Sequence, residues 1–371
     1  MKQRKNYRGH LDFDSRKSDY NIYATSADEA NEKNEFFLKI LIITSILLIA
    51  LTLILFLLLS DNPSAPVFND EQPSQIDQDQ QNNNNTEESR PYATVPTKES
   101  YIPIGNGLGL GGLDLSSDFA ILVNLSDMTV EARKDADDLI YPASMTKVMT
   151  VAVACDLITK LDDEYVLTSQ VLNQMPNGAS SAWLRDYIGQ KVTVEDLLYG
   201  ISYRSGADAV LCLLDYLDIS LDDFVALMNK KADDLGLTNT HFGGAIGMDE
   251  ENNTTTCREM AAIMAYAMDN PLCRTLFGGE KHKLKYIDMT YYHSTIVTTL
   301  DKIFLKSDTL VSNYTLLAAK SGLEDKAGYC LASYIKNDKT GECFVLVTAL
   351  AKDDNTNPIK DLIKIFKAIN P

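Results

Sequence analysis

The chain has 371 residues, 45% of them apolar, with 34 Lys+Arg against 52 Asp+Glu for a net charge of −18. That balance leaves little for counter-ion release from a phosphate backbone and excludes nucleic acid as a partner class. Six cysteines without a C-x-x-C pair, and four histidines without H-E-x-x-H, give no metal or cofactor signature, so neither is expected.

The first predicted element is a membrane span. Residues 36–59 are almost free of polar side chains, and within them Ile40–Leu59 has only Thr44, Ser45 and Thr52. At 1.5 Å per residue this stretch covers a hydrocarbon layer of ~30 Å. It starts too late and runs too long for a cleaved signal peptide. Lys2, Arg4, Lys5, Arg8, Arg16, Lys17, Lys33 and Lys39 precede it, whereas no Lys or Arg follows until Arg90. The positive side faces inward, which predicts a cytoplasmic tail over 1–35, a single-pass signal anchor over 36–59 and everything beyond outside the cell membrane.

Residues 60–100 carry Pro63, Pro66, Pro73 and a Gln/Asn run through Asn85, with few aliphatic side chains. Such a segment cannot bury enough to fold and reads as a disordered polar linker of about 35 Å mean reach. The rest, 101–371, is ample for one folded domain. It opens on Gly107–Gly112, which matches G-x-G-x-x-G but precedes a strand instead of opening a helix, so the reading is a flexible joint.

Asp118–Asn124 and Met128–Arg133 are predicted strands joined as a hairpin across Leu125–Asp127. Tyr141–Thr150 then puts Pro142 where a buried helix should begin, with Ser144 in its first turn and Lys147 one turn on. A hydroxyl and an amine three apart on a helix share a face, as a serine nucleophile and its base require. The N-terminus of that helix would favour an oxyanion.

Thr193–Tyr199, with a Thr-x-x-Asp start, Ala207–Leu217 and Asp222–Leu235 have helical patterns. Tyr329–Lys336 and Glu342–Leu350 flank the turn Asn337–Gly341 as a second hairpin, and Ile359–Ala368 is a closing helix. Strands near both ends with helices between them predict an α/β (α+β) fold: an antiparallel sheet built by the two ends of the domain, with a helical insertion.

A second Ser-x-x-Lys, Ser333 to Lys336, falls in a predicted strand, where positions three apart face opposite sides. Likewise Lys339-Thr340-Gly341 falls in the predicted hairpin turn. Ser205-Gly206-Ala207 and Lys320-Ser321-Gly322 follow Ser144 in the order S-x-x-K, S-x-N, K-[ST]-G of the penicillin-interacting serine enzymes.

With Pro142–Thr150, Val194–Gly200, Ser205–Ala209, Met228–Phe242 and Lys320–Tyr329, the chain over roughly 117–352 resembles the serine D-alanyl-D-alanine carboxypeptidases. These are the low-molecular-weight penicillin-binding proteins, peptidase S11-like enzymes of β-lactamase/transpeptidase-like fold. The resemblance implies acyl transfer on a peptidoglycan stem peptide ending in D-Ala-D-Ala, and acylation by β-lactams. Ser144 would attack, Lys147 would be its base with its pKa lowered by burial and by Lys320, and Ser205 would hand a proton to the leaving D-alanine. Lys320 and Ser321 would hold the terminal carboxylate, Gly322 would line the same substrate-binding strand, and the backbone N–H groups of Ser144 and Leu323 would form the oxyanion hole.

The sequence departs from the family pattern at Ala207, where Asn is usual and would touch substrate. Loss of one polar contact costs about 1–3 kcal/mol, or roughly tenfold to a hundredfold in rate. Ser321 for Thr keeps the hydroxyl. The chain ends on the closing helix without the further C-terminal β-domain and amphipathic anchor of many relatives, so the N-terminal helix is expected to anchor it. Ala207 supports one alternative, a degenerate relative that binds wall peptide or a partner without turnover. A β-lactamase reading lacks an E-x-x-L-N segment after the second motif. Trp183, Tyr286, Tyr291 and Tyr292 are expected to serve packing, and acidic pairs such as Asp137-Asp138 and Asp162-Asp163 to be solvated.

Overall fold

The computed structural model describes residues 100–369 except 249, 251, 288–292 and 299–312. The anchor and all but the last residue of the linker lie outside the described residues, as do Tyr291 and Tyr292. Among the described residues no helix is long and apolar enough to cross a membrane.

Six strands make the main sheet: β1 (Leu108–Gly109), β2 (Ser117–Asn124), β3 (Thr129–Lys134), β4 (Tyr314–Glu324), β5 (Gly328–Asn337) and β6 (Cys343–Ala351). Their order is β1-β3-β2-β6-β5-β4, so the N-terminal and C-terminal hairpins join through β2 and β6. Pairing is antiparallel except for β1 with β3. Between the hairpins lie the helices α1 (Lys147–Leu157), α2 (Val194–Arg204), α3 (Ala207–Tyr216), α4 (Leu221–Asp234), α5 (Cys257–Asp269) and α6 (Pro271–Gly278), and α7 (Asn357–Ile369) closes the chain.

Period-two alternation explains the layering. Ala120 and Leu122 of β2, with Phe344 and Leu346 of β6, face a core shared with Leu362, Ile365 and Phe366 of α7. Their neighbours Ile121, Val123, Val345 and Val347 face the larger core that holds the other helices. The sheet is therefore covered on both faces, by α7 on one and the helical insertion on the other. Buried Asp361 fastens α7 to the start of β2, accepting from the Ser117 N–H at 2.7 Å and its hydroxyl at 2.8 Å.

Local signals set the helix starts. Thr193 Oγ1 accepts from the Asp196 N–H at 3.0 Å while Asp196 accepts from the Thr193 N–H at 2.8 Å, a reciprocal cap that starts α2. By contrast, α1 is buried on every side from Lys147 to Cys155, so its sequence has no amphipathic period.

The joint expected at Gly107–Gly112 is corrected. Leu108 and Gly109 pair with Ala132 and Arg133 as the edge strand β1. Gly107, at φ 54°, passes too close to the Val130 and Glu131 backbone to admit a side chain.

Candidate active site

The first correction at the site concerns how Ser144 is presented. Residues Ala143–Thr146 form a 3-10 turn and the α-helix starts only at Lys147, so Ser144 precedes α1 instead of sitting in its first turn. Ala143, just before the serine, adopts φ 46°, in the left-handed region, which costs an alanine about 1–2 kcal/mol. Two glycines press on this residue. A side chain on Gly247 would collide with the Ala143 carbonyl, and one on Gly322 would lie 3.0 Å from the Ala143 Cβ and 3.2 Å from the Ser144 nitrogen.

In this turn positions three apart still meet. The Lys147 amine donates to Ser144 Oγ at 3.2 Å and to the Ile246 carbonyl. Lys147 is 1% exposed, and burial brings its pKa down to about 7 against the pull of Glu324, Asp208 and Glu250. Lys320 is likewise held well below the usual lysine range, by burial first and by its repulsion with Lys147 second.

The lysine's carbonyl partner comes from a segment that the sequence reading missed. Thr150 of α1 donates to the Ala245 carbonyl at 2.8 Å, and Asn253 donates to Thr146 Oγ1 at 3.1 Å, so Ala245, Ile246 and Asn253 clasp the serine turn. Backbone acceptors leave no side-chain signature. The one available signal was the glycine spacing Gly243, Gly244, Gly247, which marks close backbone approach.

Ser205 ends α2 at φ 57°, and its hydroxyl is buried with no hydrogen-bond partner among the described residues. Directly after it, Asp208 binds the 181–184 loop to α3, accepting from Ser181 Oγ at 2.6 Å and the N–H groups of Ala182 at 2.8 Å and Leu184 at 3.1 Å. Ala207, two residues after Ser205, is fully buried. Its N–H donates to the Ser180 carbonyl at 2.8 Å, so the first turn of α3 directs the methyl inward.

The rest of the set converges on one cleft of about 550 Å³. Ser180, Arg204 and Ser205 line it from the helical side, Ser144 from its turn, and Lys320, Ser321, Gly322 and Leu323 from β4. The strand β4 is an edge of the sheet, so one row of its backbone groups is left for a ligand strand. Lys320 donates to the Ser321 carbonyl at 2.7 Å, and Leu323 is 54% exposed. Glu324 and Asp325 continue the same wall. Ser333 and Lys339–Gly341 stay apart from the cleft, the first bonded to the Leu346 carbonyl at 3.0 Å and the others in the exposed turn after β5. Among the described residues no three His, Cys, Asp or Glu side chains gather into a metal site.

Trp183, expected in packing, stacks on His293 at 3.8 Å and under the Arg204 guanidinium at 3.8 Å, beside the cleft. The acidic pairs are solvated as expected, Asp137 being 51% exposed while it meets Arg258 at 2.5 Å, and Asp162 85% exposed while it meets Lys285 at 3.1 Å.

A family model described as D-alanyl-D-alanine carboxypeptidase matches residues 110–349. The D-alanyl-D-alanine carboxypeptidase DacF of Bacillus subtilis is 31% identical over 257 residues, 68% of this chain and 57% of that one. DacC of Escherichia coli is 36% identical over 152 residues, 38% of this chain and 37% of that one. The chain thus spans about half or less of the length of these curated relatives. Among solved structures, the Streptomyces K15 DD-transpeptidase superposes with a TM-score of 0.60 at 25% identity, over 70% of this chain and 98% of that one.

Proposed function

We propose, on the premise that the chain belongs to the D-alanyl-D-alanine carboxypeptidase family of serine peptidases, that it removes the terminal D-alanine from peptidoglycan stem peptides. The observation that carries this reading is the Ser144–Lys147 pair: a hydroxyl 3.2 Å from an amine whose pKa is about 7, at a cleft bounded by an edge strand. A lysine of ordinary pKa would be protonated near neutrality and unable to accept the serine proton, whereas at about 7 half of it is free base.

The substrate's terminal segment lies along β4. Lys147 takes the Ser144 proton as Oγ attacks the carbonyl between the two D-alanines. The developing oxyanion is met by the backbone N–H groups of Ser144 and Leu323. Ser321 and Lys320 receive the terminal carboxylate, and its arrival favours the charged form of a lysine that burial otherwise disfavours. Ser205, with an uncommitted buried hydroxyl, passes the proton to the departing D-alanine. Water then cleaves the acyl-enzyme and restores Ser144. A β-lactam opens on the same serine and leaves it acylated.

Residues 36–59 anchor the enzyme as a single span with its N-terminus cytoplasmic, and residues 60–100 let the catalytic domain reach the wall.

The test is labelling of the detergent-solubilised full chain with a fluorescent penicillin, beside Ser144→Ala, with D-alanine release from a pentapeptide followed in parallel. Serine-dependent labelling with release is the expected result. Labelling without release would leave a working nucleophile without this substrate, and no labelling would favour the binding-only relative.

A further inference from the structure

Among the described residues, Arg204 is the one cationic side chain on the helical wall of the cleft, beside Ser180 and Ser205. Its guanidinium lies 3.8 Å from the Trp183 ring centroid, and Trp183 is itself stacked on His293 at 3.8 Å, so the fork is held in place by a planar support. Nε is buried with no hydrogen-bond partner among the described residues. Asp208 is the carboxylate that acts on it electrostatically. Its oxygens, however, are committed to Ser181, Ala182, Leu184 and Ala209. A guanidinium without a carboxylate partner among the described residues, supported at a cleft wall, is arranged to receive an external anion.

We infer that Arg204 is a specificity-determining residue that binds a carboxylate carried by the acyl-donor part of the peptide, on the side chain preceding the two D-alanines. This rests on the proposed function, in which Lys320 and Ser321 of the opposite wall take the terminal carboxylate and leave Arg204 for the donor side. Glu324 and Asp325 line the same cleft and repel an anionic donor, so Arg204 sets the sign of the charge preference.

The experiment compares two peptides that differ in one charge: Nα-acetyl-Nε-succinyl-Lys-D-Ala-D-Ala, anionic at the side chain, and its Nε-acetyl counterpart, neutral there. Affinities are measured by calorimetry on full-chain Ser144→Ala, so that turnover does not intervene. The anionic peptide should bind roughly tenfold tighter, a preference that weakens with added salt. Arg204→Gln in that background should abolish or invert the preference, and Arg204→Lys should retain part of it, giving a second readout should the glutamine variant fail to fold. An unchanged ratio in Arg204→Gln, or equal weakening of both peptides, would overturn the assignment, the latter result marking a structural role. Failure of the proposed function would look different: neither peptide would bind Ser144→Ala at all, and the Arg204 assignment would fall with it.

Discussion

Ser144 and Lys147 stand three residues apart, and so do Ser333 and Lys336, yet only the first pair meets. In the turn before α1 the Lys147 amine reaches Ser144 Oγ at 3.2 Å. In β5 the buried Ser333 hydroxyl donates across the sheet to the Leu346 carbonyl at 3.0 Å, while Lys336 projects from the other face of the strand. The same spacing thus makes a candidate nucleophile in one backbone and a sheet fastening in the other. Burial separates the pairs further, since a base of pKa about 7 is obtained only where a lysine is taken out of water, as Lys147 is.

The largest effect that would sharpen this contrast is expected at the nucleophile. Ser144→Ala should lower penicillin acylation and D-alanine release by at least about a thousandfold, while Ser333→Ala should keep both rates within a few-fold of the parent. Comparable losses in the two variants would break the contrast.

Next comes the base: Lys147→Gln should slow acylation by about 10²–10⁴-fold. In the parent protein the sign of the pH dependence follows from the lowered lysine. The proton-accepting form is the neutral amine, so the acylation rate should rise with pH through about 7 and level off above it. A rate flat from pH 6 to 9 would remove Lys147 from the role.

A smaller loss is expected from Gly322→Ala. Its Cβ would press on Ala143 and the Ser144 nitrogen, shifting β4 from the serine turn and slowing acylation roughly tenfold. The alanine variant of Ser333 should show the smallest change, about 1 kcal/mol of stability in urea unfolding, from loss of one buried hydrogen bond.

Much of the frame was legible along the chain because its causes are local. The Thr193–Asp196 cap is written in four residues, and the Asn337–Gly341 turn between alternating strands needs no distant partner. The order of Ser144, Lys147, Ser205 and Lys320 marked the walls of the cleft through the family resemblance, not through local causes. Wherever a distant backbone decided the outcome, the sequence was silent or misleading. Glycines expected to be a loose joint became β1 because β3 offered an edge. Asp208, which ties the 181–184 loop to α3, looked like one acid among many.

Composition and periodicity by themselves determined the charge class and many of the elements, since each depends on neighbours within a few residues, and the family resemblance of the motifs named the side chains that could carry acyl transfer. Tertiary structure alone decided that Ser144 stands on a 3-10 turn, that the Ile246 carbonyl holds Lys147, and that burial sets the lysine's pKa. It also left the Arg204 guanidinium facing the cleft without a carboxylate partner among the described residues. These outcomes depend on segments far apart in the chain being packed together, and on the loss of water that such packing imposes.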